Sequence, residues 1–239
     1  MSFWDHLDEL RGCIIRSAIA VIALCIPGLA FKSFLFNNIV LGPTRSSFIV
    51  YQLTGMSVDM TLINTDVTAQ FFLHLKIALA SGLVLAFPYV VYQIWNFIAP
   101  ALYESEKKAV SKAFLLSSWL FYLGVFVGYF FVLPVCINFF MDYQVSELVE
   151  NTITLSSYIS LFISMVILIG IVFEFPTVIM VMSNLGLVTR PTLRKYRKHA
   201  FVAMLILSAL ITPSDPVSML VLAAPLYLLY EGSILICKA

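Results

Sequence analysis

Glu174 is the residue whose type and setting most clearly point to chemistry. It stands in the run IGIVFEFPTVI, near the middle of an apolar segment that we predict over residues 154–185. An ionisable side chain inside hydrocarbon costs several kcal/mol, so we expect it to face a groove or a partner helix. Pro176, two residues later, removes a backbone N–H and predicts a kink at that depth. Two interpretations stay open: a functional intramembrane polar site, or a protonated glutamate hydrogen-bonded between helices.

Two groups of carboxylates outside the apolar segments suit a binding surface for a basic peptide. The start of the chain, FWDHLDELR, spaces its apolar residues as in an amphipathic helix, and it carries Glu9. We predict this helix over residues 2–12, lying on the membrane surface. The run FIAPALYESEKK adds Glu104 and Glu106. Carboxylates beside apolar residues accept paired hydrogen bonds from guanidinium groups, whereas the alternative is a solvated helix face and a solvated loop.

The motifs of several other protein classes do not occur in the sequence. The four cysteines are scattered without metal-ligand spacing, so we expect no metal and no cofactor. There is no Gly-rich phosphate loop, no H-E-x-x-H and no G-x-S-x-G, which argues against ATP-driven transport and against an enzyme. A net charge of +1 gives no reason to expect a nucleic-acid partner. The remaining alternative is a proton-coupled secondary transporter using Glu174, but its second intramembrane ionisable group and paired broken helices are not evident.

The elements that must position these residues are transmembrane helices. Hydrophobic residues make up 61% of the 239 residues and charged residues 11%, and the mean hydropathy is +0.98. A soluble domain of this length cannot bury so much apolar surface. We therefore predict an all-α integral membrane protein, one polytopic domain over 1–239, with spans at about 13–36, 70–98, 112–140, 154–185, 199–212 and 217–237. The fifth is short against the roughly 20 residues that a span needs, and the sixth is adequate only if Glu231 lies near its end. We therefore expect the last two spans to form a short pair that thins the bilayer locally.

Basic residues between the spans predict the orientation. Eleven of the fourteen lysines and arginines fall on one side of the predicted membrane, among them Arg11, Lys107, Lys108 and the run from Arg190 to Lys198. Lys32 and Arg45 fall on the other side. By the positive-inside rule, both termini are expected in the cytoplasm. The acidic first eleven residues lack the basic start of a cleavable signal peptide, so the first span is expected to remain as an anchor.

Five runs of residues together resemble the TatC family, the signal-receptor subunit of the twin-arginine protein translocase. They are HLDELR at 6–11, FPYVVYQIWNFIAPALYESEKK at 87–108, FEFP at 173–176, TPSDP at 212–216 and PLYLLYE at 225–231. The resemblance covers nearly the whole chain, in order, with the same six-span layout. It implies a concave, glove-like arrangement of the helices.

The resemblance also implies roles for individual residues. The family's signal-peptide site falls on Glu9, Arg11, Phe97, Leu102 and Glu106. Glu174 matches the polar intramembrane position that lines the concave face, with Pro176 beside it. Pro43 resembles the proline of the external cap, and Asp215 the acid of the short outer turn. Two positions depart from the family pattern: Cys13 replaces a second arginine, and Met219 replaces a frequent Gln, which puts a polar contact to a partner helix in doubt.

The function implied by the resemblance is protein export across the cell inner membrane. Such a protein binds twin-arginine signal peptides of folded precursors at its cytoplasmic surface. It recruits the single-span proteins TatA and TatB, forms homo-oligomers in the receptor complex, and uses the proton-motive force.

Overall fold

The protein is almost entirely helical in the computed structural model, which describes residues 3–56, 58, 60–144, 146, 152–211 and 216–237. The helices in the first half are α1 Phe3–Ala30, α2 Lys32–Phe34, α3 Ile49–Thr54, α4 Ala69–Ile98, α5 Glu104–Val127 and α6 Leu133–Asp142. Those in the second half are α7 Leu155–Ile163, α8 Ile169–Val172, α9 Phe175–Asn184, α10 Arg190–Lys195, α11 Arg197–Ile211 and α12 Pro216–Ile236. Strands β1 Leu62–Ile63 and β2 Ile153–Thr154 pair in parallel.

Five stretches of helix in the described part of the chain are long and apolar enough to cross a membrane. We call them the first span His6–Ala30, the second Ala69–Ile98, the third Val110–Asp142, the fourth Leu155–Asn184 and the sixth Met219–Ile236. The apolar helix α11 lies between the fourth and sixth, and its 15 residues rise only about 22 Å, against about 30 Å of hydrocarbon. The expected all-α membrane fold is therefore confirmed, with α11 short as expected. The expectation that the last span is also short is wrong, because α12 has 21 residues and is long enough to cross the membrane.

The N-terminal helix differs from the expectation of a separate amphipathic segment. Residues Phe3–Ala30 form one continuous helix, with no break where we expected a turn into the membrane near residue 12. The physical reason is that Gly12 is the only weak helix former there, and no proline or capping residue stops the helix. The helix also ends at Ala30, before the predicted limit of 36, and the chain continues through π-helical residues Leu35–Val40.

Glycines allow the third and fourth spans to approach each other very closely. A Cβ on Gly124 would lie 2.7 Å from the Cβ of Phe173 and 2.8 Å from the Cα of Gly170. A Cβ on Gly128 would meet the carbonyl oxygen of Met165, at a place where both spans are locally π-helical. Because only glycine fits at such distances, these residues fix the depth at which the two spans cross.

Tyrosine hydroxyls hold the segment that follows the first span, residues 35–63 in their described part, onto the helices. Tyr158 of the fourth span donates to the carbonyl of Val40 at 2.5 Å, and Tyr129 of the third donates to that of Ile39 at 2.8 Å. Within this outer segment, Tyr51 donates to the carbonyl of Pro43 at 2.8 Å, and its burial raises the pKa of the Tyr51 phenol. The parallel pairing of β1 with β2 joins the segment to the start of the fourth span.

Candidate functional site

The N-terminal helix packs against the end of the second span through an aromatic contact. The rings of His6 and Phe97 stack with centroids 4.4 Å apart and an interplanar angle of 22°. Glu9 lies one turn after His6, on the same face of α1. Its Oε2 is buried and has no hydrogen-bond partner among the described residues. A buried carboxylate oxygen without a donor is an unused acceptor, and it costs free energy until a donor reaches it.

The chain that follows Phe97 carries two more of the predicted site residues. The second span ends at Ile98, and Pro100 lies in a 3₁₀ turn, Ala99–Ala101, that redirects the backbone. Leu102 closes this turn by donating its N–H to the carbonyl of Ala99 at 3.3 Å, and it is half-buried with an extended backbone. Glu106 lies in the first turn of α5, and its side chain is outside the described residues.

Arg11 is not brought into this group. It is exposed on α1, two residues after Glu9, which places the two side chains about 200° apart around a helix. Cys13, at the position where the family pattern has a second arginine, is buried. The structure thus brings His6 and Phe97 into contact, with Glu9 one helical turn after His6 on the same face of α1. Arg11 lies on a different, exposed face of this helix.

Glu174 lies at a break in the fourth span and is hydrogen-bonded to the third. The helix is interrupted at Phe173–Glu174 and starts again at Phe175, with Pro176 in the first turn of α9. Ser117 Oγ donates to Glu174 Oε2 at 2.5 Å. The other oxygen, Oε1, and the Thr177 hydroxyl are both buried and make no hydrogen bond of good geometry within the described part of the chain, although the two side chains are close enough to interact.

The surroundings of Glu174 decide what it can do chemically. Its described hydrogen bond comes from a neutral serine hydroxyl, and no ion pair to Glu174 is found among the described residues. A half-buried carboxyl group beside a buried threonine hydroxyl can accept a hydrogen bond from, or when protonated donate one to, a polar group that reaches it. The bond to Ser117 also agrees with the interhelical interpretation, so the geometry supports both interpretations considered above.

Three further residues are predicted as structural or partner contacts, and the structure describes two of them. Pro43 is buried in the 3₁₀ turn Gly42–Thr44 of the outer segment, where its carbonyl accepts the Tyr51 hydroxyl. Met219 is half-buried near the start of α12. Asp215 lies outside the described residues.

Two polar contacts were missed by reasoning from the sequence. Ser117 was not singled out, although a mid-membrane acid needs a donor and SS in the run AFLLSSWLF supplies one. Arg197 at the start of α11 pairs with Glu231 of α12 at 2.5 Å, and Tyr227 donates to the other oxygen of Glu231 at 3.0 Å. The acid in PLYLLYE is the signal that could have predicted this pair, because an acid near a helix end requires a cation or water.

Comparison with known proteins gives one consistent result. The family model "Sec-independent protein translocase protein (TatC)" matches residues 5–225. TatC of Blattabacterium sp. subsp. Periplaneta americana is 36% identical over 251 residues, which cover 99% of this chain and 94% of the relative. TatC of Escherichia coli K12 is 33% identical, with 95% and 84% covered. A crystal structure described as "Twin Arginine Translocase Receptor- TatC in DDM" matches with a TM-score of 0.83 at 34% identity, covering 98% of this chain and 100% of that one.

Proposed function

This chain belongs to the TatC family of Sec-independent protein translocase proteins, and from that premise we propose that it is the membrane receptor for twin-arginine signal peptides of folded precursor proteins. It is a multi-pass membrane protein and a component of the twin-arginine translocase. In this role it is a transport component rather than an enzyme.

The unused oxygen of Glu9 is the observation that supports this proposal most. It is a buried acceptor for which the described residues offer no donor, on the helix that carries the stack of His6 on Phe97. A guanidinium group presents several N–H donors in a planar fork and would satisfy that oxygen with a charge-assisted hydrogen bond. We assign the second arginine of the peptide to Glu106, which follows the Leu102 turn in the first turn of α5. Phe97 and Leu102 then supply apolar surface beside the two acids.

The rest of the transport cycle is part of the same proposal. The hydrophobic stretch of the signal peptide would lie along the groove toward Glu174. Both termini would face the cytoplasm of a cell with this protein in its inner membrane, in accordance with the distribution of lysine and arginine between the spans. TatA-type and TatB-type single-span proteins and further copies of the chain would complete the complex, which the proton-motive force would drive.

A binding measurement with matched variants tests the receptor assignment. The full chain in lipid nanodiscs is titrated with a synthetic signal peptide that carries Arg-Arg. We expect Glu9→Gln/Glu106→Gln to weaken binding about a hundredfold or more, because two charge-assisted hydrogen bonds are lost and each is worth about 1.5 kcal/mol or more. The control is Asp8→Asn, which neutralises an exposed neighbour of Glu9 on the same helix and should leave Kd unchanged. Wild-type affinity in the double variant would refute the assignment.

A further inference from the structure

The middle of the second span contains a proline that leaves one backbone carbonyl without its helical partner. Pro88 lies inside α4 and has no N–H to donate to the carbonyl of Val84, four residues earlier. Val84 lies halfway along the 30 residues of this helix, at the depth of the hydrocarbon. No water is available there, so a neighbouring helix must supply the donor or the carbonyl stays unsatisfied. A proline inside a helix also bends it at that point.

The third span supplies the missing donor. The hydroxyl of Tyr122 donates to the carbonyl of Val84 at 3.1 Å. The preceding residue, Phe121, stacks on Phe87, directly before Pro88, with ring centroids 3.6 Å apart and an interplanar angle of 7°. Two consecutive residues of the third span therefore contact the second span where its proline lies. The ring stack holds the two helices together, but only the hydroxyl of Tyr122 can satisfy the carbonyl.

The part of the second span that follows Pro88 leads to the candidate signal-peptide site. Phe97 comes nine residues after Pro88, which is a rise of about 13 Å along the helix. Its ring stacks on that of His6 in α1, with centroids 4.4 Å apart. Removal of a bend of about 20° would displace Phe97 by about 5 Å. Because this displacement is as large as the distance between the two rings, their contact depends on the bend.

We propose that Tyr122 is a positioning residue for the signal-peptide site. By donating to the carbonyl that Pro88 leaves free, its hydroxyl holds the second span at the bend that keeps Phe97 against His6. This role requires no contact between Tyr122 and the peptide, because it acts through the backbone of the second span. The inference rests on the proposed receptor function, in which Phe97 supplies apolar surface to the signal peptide.

A double-mutant cycle within the chain tests this proposal. The full chain in lipid nanodiscs is titrated with an Arg-Arg signal peptide as wild type, Tyr122→Phe, Pro88→Ala and Pro88→Ala/Tyr122→Phe. Phenylalanine keeps the ring and removes only the donor, whereas alanine restores the N–H that bonds the carbonyl of Val84. We expect Tyr122→Phe to raise Kd about fivefold in the wild-type background and to leave it unchanged in the Pro88→Ala background. An equal effect in both backgrounds, or wild-type Kd in Tyr122→Phe, would overturn the proposal.

A control variant and a second measurement complete the test. Tyr129→Phe removes a hydroxyl of the same span that donates to Ile39 in the outer segment, so Kd should stay at the wild-type value. A rise in Kd equal to that of Tyr122→Phe would overturn the proposal, even if Pro88→Ala does not fold. Melting temperatures measure the coupling without any peptide: Tyr122→Phe should lower Tm in the wild type and not in Pro88→Ala. A wild type that binds Arg-Arg and Gln-Gln peptides equally would refute the receptor function instead, and Tm would still decide whether Tyr122 and Pro88 are coupled.

Discussion

At the scale of single residues, the half-buried Glu9 and Glu174 share one property: each has a buried oxygen that makes no hydrogen bond of good geometry within the described residues. These atoms are Glu9 Oε2 and Glu174 Oε1. Folded proteins satisfy nearly all such atoms, because leaving one unpaired costs about 1–3 kcal/mol. A receptor for a guanidinium group needs hydrogen-bond acceptors that the protein itself does not use. We infer that these two oxygens accept hydrogen bonds from the ligand.

Ser117 should be required for the position of Glu174. Its hydroxyl is the described donor to Oε2, so Ser117→Ala leaves that oxygen without it. We expect a loss of about 1–3 kcal/mol in the free energy of unfolding, measured by denaturant titration in detergent. Ser118→Ala is the matched control, because the neighbouring serine makes no described hydrogen bond to Glu174. Equal stability of the two variants would mean that the Ser117 bond contributes nothing.

Glu174→Gln separates the two interpretations of the intramembrane acid. Glutamine keeps the size and can still accept the Ser117 hydrogen bond, but it can never become ionised. We expect export of a twin-arginine precursor by the variant to fall at least tenfold relative to wild type, while the affinity for the signal peptide stays unchanged. Export at the wild-type rate would instead support the purely structural interpretation, a neutral hydrogen bond between helices.

At the scale of elements, apolar periodicity and length predicted most of the helices. The continuity of α1 and the contacts between side chains that are distant in sequence could not be predicted. The runs that form the second, third and fourth spans are apolar enough to be recognised from the sequence alone. The continuous α1 was not predicted, because a surface helix and the start of a span have the same local pattern through Gly12. Likewise Glu174 could be picked out as an acid in an apolar run, whereas its partner Ser117 is distant in sequence and looks like any serine.

The crossing of the third and fourth spans depends on Gly124. A side chain at this position would meet Phe173 and Gly170 at 2.7 and 2.8 Å, so Gly124→Val must push the two spans apart. We expect a loss of about 1–3 kcal/mol or more in the free energy of unfolding and reduced export, because the displacement separates Ser117 from Glu174. Gly232→Ala is the control, since a Cβ there meets nothing within 4 Å. A stable, active Gly124→Val would show that the close approach is not needed.

At the scale of the whole molecule, the proposed path starts at the N-terminal helix and ends within the membrane. The stack of His6 on Phe97 joins the first and second spans, and the Ser117–Glu174 hydrogen bond joins the third and fourth. The pair of Arg197 with Glu231 joins α11 to α12. Successive helices are thus linked in pairs by polar or aromatic contacts, while the short α11 leaves one side of the molecule thinner than the bilayer. A signal peptide bound by Glu9 and Glu106 would extend into the membrane toward Glu174.

A double-mutant cycle between the receptor and the signal peptide measures whether Glu9 binds an arginine of the peptide. Glu9→Gln in the full chain is combined with Arg→Gln at each peptide arginine in turn, and Kd is measured for all four combinations of each pair. If Glu9 binds one of these arginines, the two substitutions will be non-additive for that arginine by about 1.5–3 kcal/mol. Additivity within about 0.5 kcal/mol for both arginines would show that Glu9 binds neither of them, because substitutions of residues that do not touch are additive to that extent.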